Sequence, residues 1–179
     1  MKDSLRLYTY PDPVLFYTTK EIDVIDASIQ KLGEDLLLMA IETNAIGVAA
    51  PQIGVSLKAA VIREPQEKQE ITHFILNPTI IEKSIEMVDS LEGCLSFPGL
   101  NIPIKRHSTV TVEFKTIKNE VVKKTFTGLL SIAFQHEIDH LNNILLIDRM
   151  SNTQKKRYKN YFKQLKDLSI RAKKLQAKG

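Results

Sequence analysis

The spacing of apolar positions changes period several times along this chain, and each change predicts an element. PDPVL (11–15) carries two prolines, whose locked φ angles and restraint on the preceding residue predict an extended segment. In DASIQKLGEDLLLMAIETN (26–44), Ile29, Leu32, Leu36, Leu37, Met39 and Ala40 fall on one helical stripe, with Asp26 as N-cap. The small residues of AIGVAAPQIG (45–54) break that period and predict a loop. SLKAAVIRE (56–64), ITHFIL (71–76) and EKSIEMVDS (82–90) read as strands. The clearest alternation lies in STVTVEFKTIKNEVVKKTF (108–126). There Val110, Val112 and Phe114 alternate with polar residues, Lys118 and Asn119 supply a turn, and Val121 and Val122 begin the return of a hairpin.

Helical spacing returns in TGLLSIAFQHEIDHLNN (127–143), with Thr127 as N-cap. This segment is apolar nearly all round until its histidines, which predicts a buried helix. NTQKKRYKNYFKQLKDLSIRAKKLQAKG (152–179) is a third helix, with Tyr158, Phe162, Leu165 and Leu168 or Ser169 as its inner stripe. Helix, strands, hairpin, buried helix and tail helix do not alternate as βαβ units would. The fold class is therefore α+β: short antiparallel β-sheets packed around a buried central helix, with further helices at the N-terminal and C-terminal ends. At 179 residues the chain is long enough for one self-sufficient core and reads as a single domain, 1–179.

Composition changes this picture in two respects. A single cysteine, Cys94, excludes an internal disulfide framework and fits a reducing compartment. The segment MKDSLRLYTYPDP lacks the apolar core of a signal peptide, and no run approaches the ~18 apolar residues of a membrane span. These features predict a cytoplasmic protein with no membrane partner. Charge is unevenly placed: residues 151–179 hold ten Lys and Arg against Asp167, net +9, leaving −5 for the first 150 residues. A basic helix can attract phosphate groups without reading sequence, so RNA is a candidate partner for 152–179.

The chemistry concentrates in QHEIDH (135–140). His136 and His140, four apart on a helix, project from one face and can share an ion, and Glu137 can take a proton from water there. Burying these groups in an apolar helix without a ligand would be costly. A catalytic ion needs a third protein ligand and an open position. No glutamate follows Glu137, and Leu146 stands where an extended zinc-peptidase motif has histidine, so the third ligand is sought upstream. Cys94 in LEGCLSFPG (91–99) is the favoured candidate, with His73 and His107 as rivals; His107 reads as solvated at a strand start.

Three stretches together, IGVAAPQ (46–52), EGCLS (92–96) and QHEIDH (135–140), resemble in order and spacing the motifs of the peptide deformylases. PDPVL and GLL (128–130) fit as well, and the helical extension resembles the type 1 bacterial branch. The resemblance implies a metal-dependent hydrolase that removes the formyl group from the N-terminal formyl-methionine of nascent proteins, releasing formate. The whole chain would be one catalytic domain, with 152–179 its basic C-terminal helix. Cys94, His136 and His140 would hold one divalent metal, Fe(II) by resemblance, with Ni, Co and Zn as substitutes; a Cys/His₂ set alone would have read as zinc. Glu137 would carry the proton, while the Gln52 amide and the Leu95 N–H meet the oxyanion. Ile46, Leu129, Ile132 and Ala133 would take the methionine side chain, Gly47 would let a peptide lie alongside as an added strand, and Arg106 would position that peptide.

Partners implied are N-formylmethionyl peptides and, through the basic helix, the ribosome. The protein would be a monomer. Removing 152–179 should then weaken ribosome binding and leave small-peptide turnover largely intact. Three positions depart from the family pattern: Ala45 in place of the first loop glycine, Asn101 where many members carry Arg, and Phe16 after PDPVL. A different metal hydrolase, an RNA-binding module and a non-cleaving formyl-peptide binder are the competing readings.

Overall fold

The computed structural model describes residues 5–67 and 70–176, the side chains of the last four excepted. PDPVL is not extended. Pro13–Phe16 form a 3-10 turn whose N-cap, Asp12, accepts a hydrogen bond from the Val14 amide. Proline at the first helical position presets helical φ, and this outweighs its pull toward extended backbone. Helix α1 (Ala27–Glu42) begins as its sequence predicts, with Asp26 accepting from the Ser28 and Ile29 amides. The small-residue stretch holds a strand, β1 (Gly47–Ala49), and a 3-10 turn at Ala50–Ile53. Positive φ falls on Asn44 (52°), and Ala45 stays outside the left-handed region. The loop therefore tolerates alanine at that position.

Strands β2 (Ala59–Glu64), β3 (Ile71–Lys83), β6 (Thr109–Lys115) and β7 (Val121–Thr127) join β1 in a five-stranded antiparallel sheet of order β1-β2-β3-β6-β7. Among the described residues, strand β4 (Met87–Cys94) pairs only with β5 (Phe97–His107), the two forming a separate hairpin. The segment read as a strand at 82–90 splits between the end of β3 and the start of β4. Strand β5 was not legible because Pro98 and Pro103 interrupt it. Both prolines are exposed, and among the described residues β5 has a strand partner on one side alone, so a missing N–H is tolerated on the other.

Helix α2 (Gly128–Leu141) packs Phe134, Ile138 and Leu141 against Ala60, Ile62, Ile75, Val110 and Phe126 of the sheet. Phe134 and Phe126 stack at 3.8 Å between ring centroids. The opposite face of β2 presents Ala59 and Val61 to Ile29, Leu32, Leu36 and Met39 of α1. The sheet is thus covered on both sides, which is why β2 reads as a continuous apolar run. Thr127 sits at the N-cap of α2 without a side-chain cap bond.

After α2 come α3 (Leu146–Arg149), α4 (Asn152–Arg157) and α5 (Lys159–Gln176). The tail predicted as one helix is two, divided at Tyr158, and its residues 177–179 lie outside the described residues. Phe162 and Leu165 are buried with Phe97, Leu100 and Ile102 of β5. Ser169 continues this inner face half-buried, whereas Leu168 is exposed. Among the described residues no helix is long and apolar enough to cross a membrane.

Candidate metal centre

The last two turns of α2 carry His136, Glu137 and His140 beneath the β4–β5 hairpin, and Cys94 is the final residue of β4. Cys94 Sγ lies 3.2 Å from His140 Nε2, and one ligand atom from each of Cys94, His136 and His140 lies within 4.8 Å of the others. His136 turns Nδ1 to Glu92 Oε2 at 2.9 Å, which leaves Nε2 free for a ligand. His140 Nδ1 and Glu137 Oε2 are buried without a hydrogen-bond partner among the described residues.

Burial pushes the Cys94 thiol up, but the imidazoles of His140 and His136 outweigh it and bring it down to about 5. A thiolate beside two imidazoles is a suitable donor set for a divalent transition metal, and the unpartnered Glu137 oxygen beside it matches a site built for one. Burial also pushes the Glu137 carboxyl up from its ordinary value, the direction a proton carrier needs.

Behind His136 runs a buried chain of charge. Arg106 Nε and Nη2 donate to the two oxygens of Glu92 at 2.7 and 2.9 Å, and Nη1 donates to Asp139. Burial opposes ionisation of Glu92, yet Arg106 and His136 hold its carboxyl down at about 2. Arg106 is only 3% exposed, so it is not the peptide-positioning residue expected from the sequence. Its place follows from strand parity: Leu100, Ile102, Ile104 and Arg106 share the inward face of β5. That parity was the available signal for Arg106, and the prolines obscured it. Sequence reasoning also missed Glu92 as the partner of His136. It missed Gln135 too, which ties α2 to the end of β5 by accepting from the His107 amide and donating to the His107 carbonyl.

Gln52 projects from the 3-10 turn after β1. Its Oε1 accepts from the Ala49 amide at 2.8 Å, which aims Nε2 at Ser96 Oγ (3.4 Å) and Cys94 Sγ (3.7 Å). A cleft of about 620 Å³ opens over these groups. Ile46, Gly47, Leu129, Ile132 and Ala133 line it together with Gln52, Leu95, Cys94, His136 and Glu137. Leu129 is half-exposed at the cleft, whereas Ala133, Phe134, Ile138 and Leu141 of α2 are buried. The rival ligands are elsewhere. His73 Nε2 is paired with Glu64 at 2.7 Å, and half-buried His107 ends β5 with Nδ1 at 2.7 Å from the Ser84 carbonyl.

Gly47 is needed for space rather than for φ. A Cβ there would come within 2.7 Å of Glu137 Cγ and 2.8 Å of Cδ. Gly47→Ala is expected to displace Glu137 and lower kcat by about 10- to 100-fold, since ~1 Å of misplacement can cost ~10²-fold. Added to Glu137→Ala, the same change should cost almost nothing more, because the side chain it disturbs is gone. Single-turnover rates of the two single variants and the double variant check this.

A family model described as polypeptide deformylase matches residues 4–156. The chain is 41% identical over 162 residues to the peptide deformylase of Desulfotalea psychrophila, covering 89% of this chain and 95% of that one. It is 37% identical over 160 residues to that of Thermodesulfovibrio yellowstonii, with 89% and 96% covered. In structure it is similar to peptide deformylase 1B of Arabidopsis thaliana in complex with an inhibitor, with a TM-score of 0.87 at 31% identity over 93% of each chain. The peptide deformylase of Thermotoga maritima gives a TM-score of 0.76 at 33% identity, over 82% of this chain and 97% of that one.

Proposed function

The chain belongs to the polypeptide deformylase family, and on that premise we propose how its own residues divide the work of the reaction. The family's reaction hydrolyses the N-formyl group of a peptide's terminal methionine: water adds to the formyl carbon, the C–N bond breaks, and formate and a free amine leave. Cys94, His136 and His140 hold the metal on which the family depends. The observation that carries this reading is the convergence of one thiolate and two imidazoles, contributed by β4 and α2, within 4.8 Å. The ion is Fe(II), with Ni, Co and Zn as substitutes that the same soft donor set accepts. When bound, the ion polarises the formyl carbonyl and acidifies water.

Ile46, Leu129, Ile132 and Ala133 receive the methionine side chain in the cleft. Gln52 Nε2–H and the Leu95 N–H donate to the oxygen that gains charge as the carbonyl is attacked, a role that oriented donors perform best in a water-poor site. Glu137 takes one proton from the attacking water and returns it to the departing nitrogen. The whole chain acts as one catalytic domain, monomeric and cytoplasmic.

The test is formate release from formyl-Met-Ala-Ser by protein purified anaerobically with Fe(II) or Ni(II). Turnover that is lost on chelation and restored by the metal is expected. A metal-loaded protein that releases no formate overturns the reading.

The ribosome is the proposed partner of the basic tail. Exposed Lys159, Lys163 and Lys166 on α5 support this, and α5 lies beyond the family match. Deleting 152–179 would be a poor test, because Phe162 and Leu165 belong to the core beside β5. Lys163→Glu with Lys166→Glu is the better variant. It should reduce the slope of log affinity for ribosomes against log salt by about one for each phosphate no longer neutralised, with peptide turnover unchanged. An unaltered slope in a sedimentation assay would sink the idea.

A further inference from the structure

The chain of charge behind His136 does not end at Arg106. Asp139 Oδ2 accepts from Arg106 Nη1 and from Arg149 Nε, and Asp139 Oδ1 accepts from Arg149 Nη2. Asp139 is buried, while the Arg149 side chain is 42% exposed on α3, beside a groove that Lys83 and Lys105 also line. The order of the chain is therefore Arg149, Asp139, Arg106, Glu92, His136, running from the surface to a proposed metal ligand. Two guanidinium groups balance two buried carboxylates. An isolated surface ion pair contributes little, but this one completes the coordination of a carboxylate that shares a single guanidinium with Glu92. Lys105 is engaged with Asp89 at 3.5 Å, and neither it nor Lys83 contacts Asp139 among the described residues.

We propose that Arg149 is a positioning residue for the metal centre, acting through Asp139, Arg106 and Glu92 on His136. This rests on the assignment of His136 as a ligand. Without Arg149, two buried carboxylates compete for Arg106 alone. Asp139 then draws the guanidinium from Glu92, and Glu92 loosens its hold on His136 Nδ1. Groups that directly brace a ligand change metal affinity by about 10- to 100-fold. Arg149 stands farther out, beyond Asp139, Arg106 and Glu92, so the expected effect is smaller.

The test loads wild type, Arg149→Leu and Arg149→Lys with Co(II) anaerobically. Loss of the metal to excess EDTA is followed by visible absorption, alongside kcat, KM and the urea midpoint. Leucine keeps an apolar stem without the guanidinium, and lysine keeps the charge. Arg149→Leu should release Co(II) about fivefold faster with KM unchanged, and Arg149→Lys should recover most of the difference. Release at the wild-type rate in Arg149→Leu, whatever happens to the urea midpoint, overturns the relay and leaves Arg149 as an anchor for α3. Wild type that neither retains Co(II) nor releases formate overturns the ligand assignment itself, and the relay with it.

Discussion

Glu137→Ala is expected to lower kcat for formyl-Met-Ala-Ser by about 10²- to 10⁴-fold while the protein keeps its metal, the range a positioned acid–base group contributes. Glu137 is not one of the three converging donors, so metal content should not change. The same substitution should not destabilise the metal-free fold. Oε2 is buried without a hydrogen-bond partner among the described residues, and burial already raises the carboxyl's pKa. Burial disfavours the charged carboxylate, so losing it removes a desolvation cost. A higher unfolding midpoint together with near-silent chemistry would mark Glu137 as a residue kept for function at a cost to stability. Glu137→Gln keeps the shape and should be as inactive, which separates proton transfer from packing. Metal analysis, rapid-quench kinetics and urea unfolding of the metal-free proteins decide the matter. Turnover within tenfold of wild type would remove Glu137 from the proton path.

Arg106→Leu is expected to cost about 3–5 kcal/mol of stability, because it leaves Glu92 and Asp139 buried without their shared counter-charge. A change in the acid limb should accompany the loss. In the wild type the Glu92 carboxyl is held below its ordinary 4.5, at about 2. Its contribution is therefore complete above roughly pH 4.5 and is lost as the pH falls through about 2. Without Arg106 only His136 still holds the carboxyl down, and most of this reserve of acid stability disappears. Unfolding midpoints measured in urea between pH 2 and pH 7 should converge for the two proteins at the acid end and separate toward neutral pH. Parallel curves would mean that Glu92 draws its depression from another source. Metal retention should fall as well, since the partner of His136 Nδ1 is no longer anchored.

Local periodicity carried much of the fold. Asp26 and the stripe from Ile29 to Ala40 specify α1, and Val110, Val112 and Phe114 specify the β6–β7 hairpin. Each needs only neighbours along the chain, so one sequence suffices to read it. Strand β5 is hidden because its two prolines obey a rule about edges, and whether a strand is an edge is decided by its partners. PDPVL misleads for a related reason: proline favours both extended backbone and the first turn of a helix, and burial of Leu15 among Phe97, Leu145 and Phe162 goes with the turn.

The site divides along the same line. The spacing of His136 and His140 put two imidazoles on one helix face, the absence of a later glutamate sent the search upstream, and the tail's +9 charge was countable. Only tertiary structure brought Cys94 to within 3.2 Å of His140 across 46 positions, because that approach depends on how the β4–β5 hairpin seats over α2. It also turned Arg106 inward to brace Glu92, and it set Glu137 against Gly47 at the start of β1, where no side chain intervenes. Residue types and their local spacing determined which chemistry was available. Strand partners and helix seating, which arise from contacts between distant segments, decided which groups meet and in what electrostatic company.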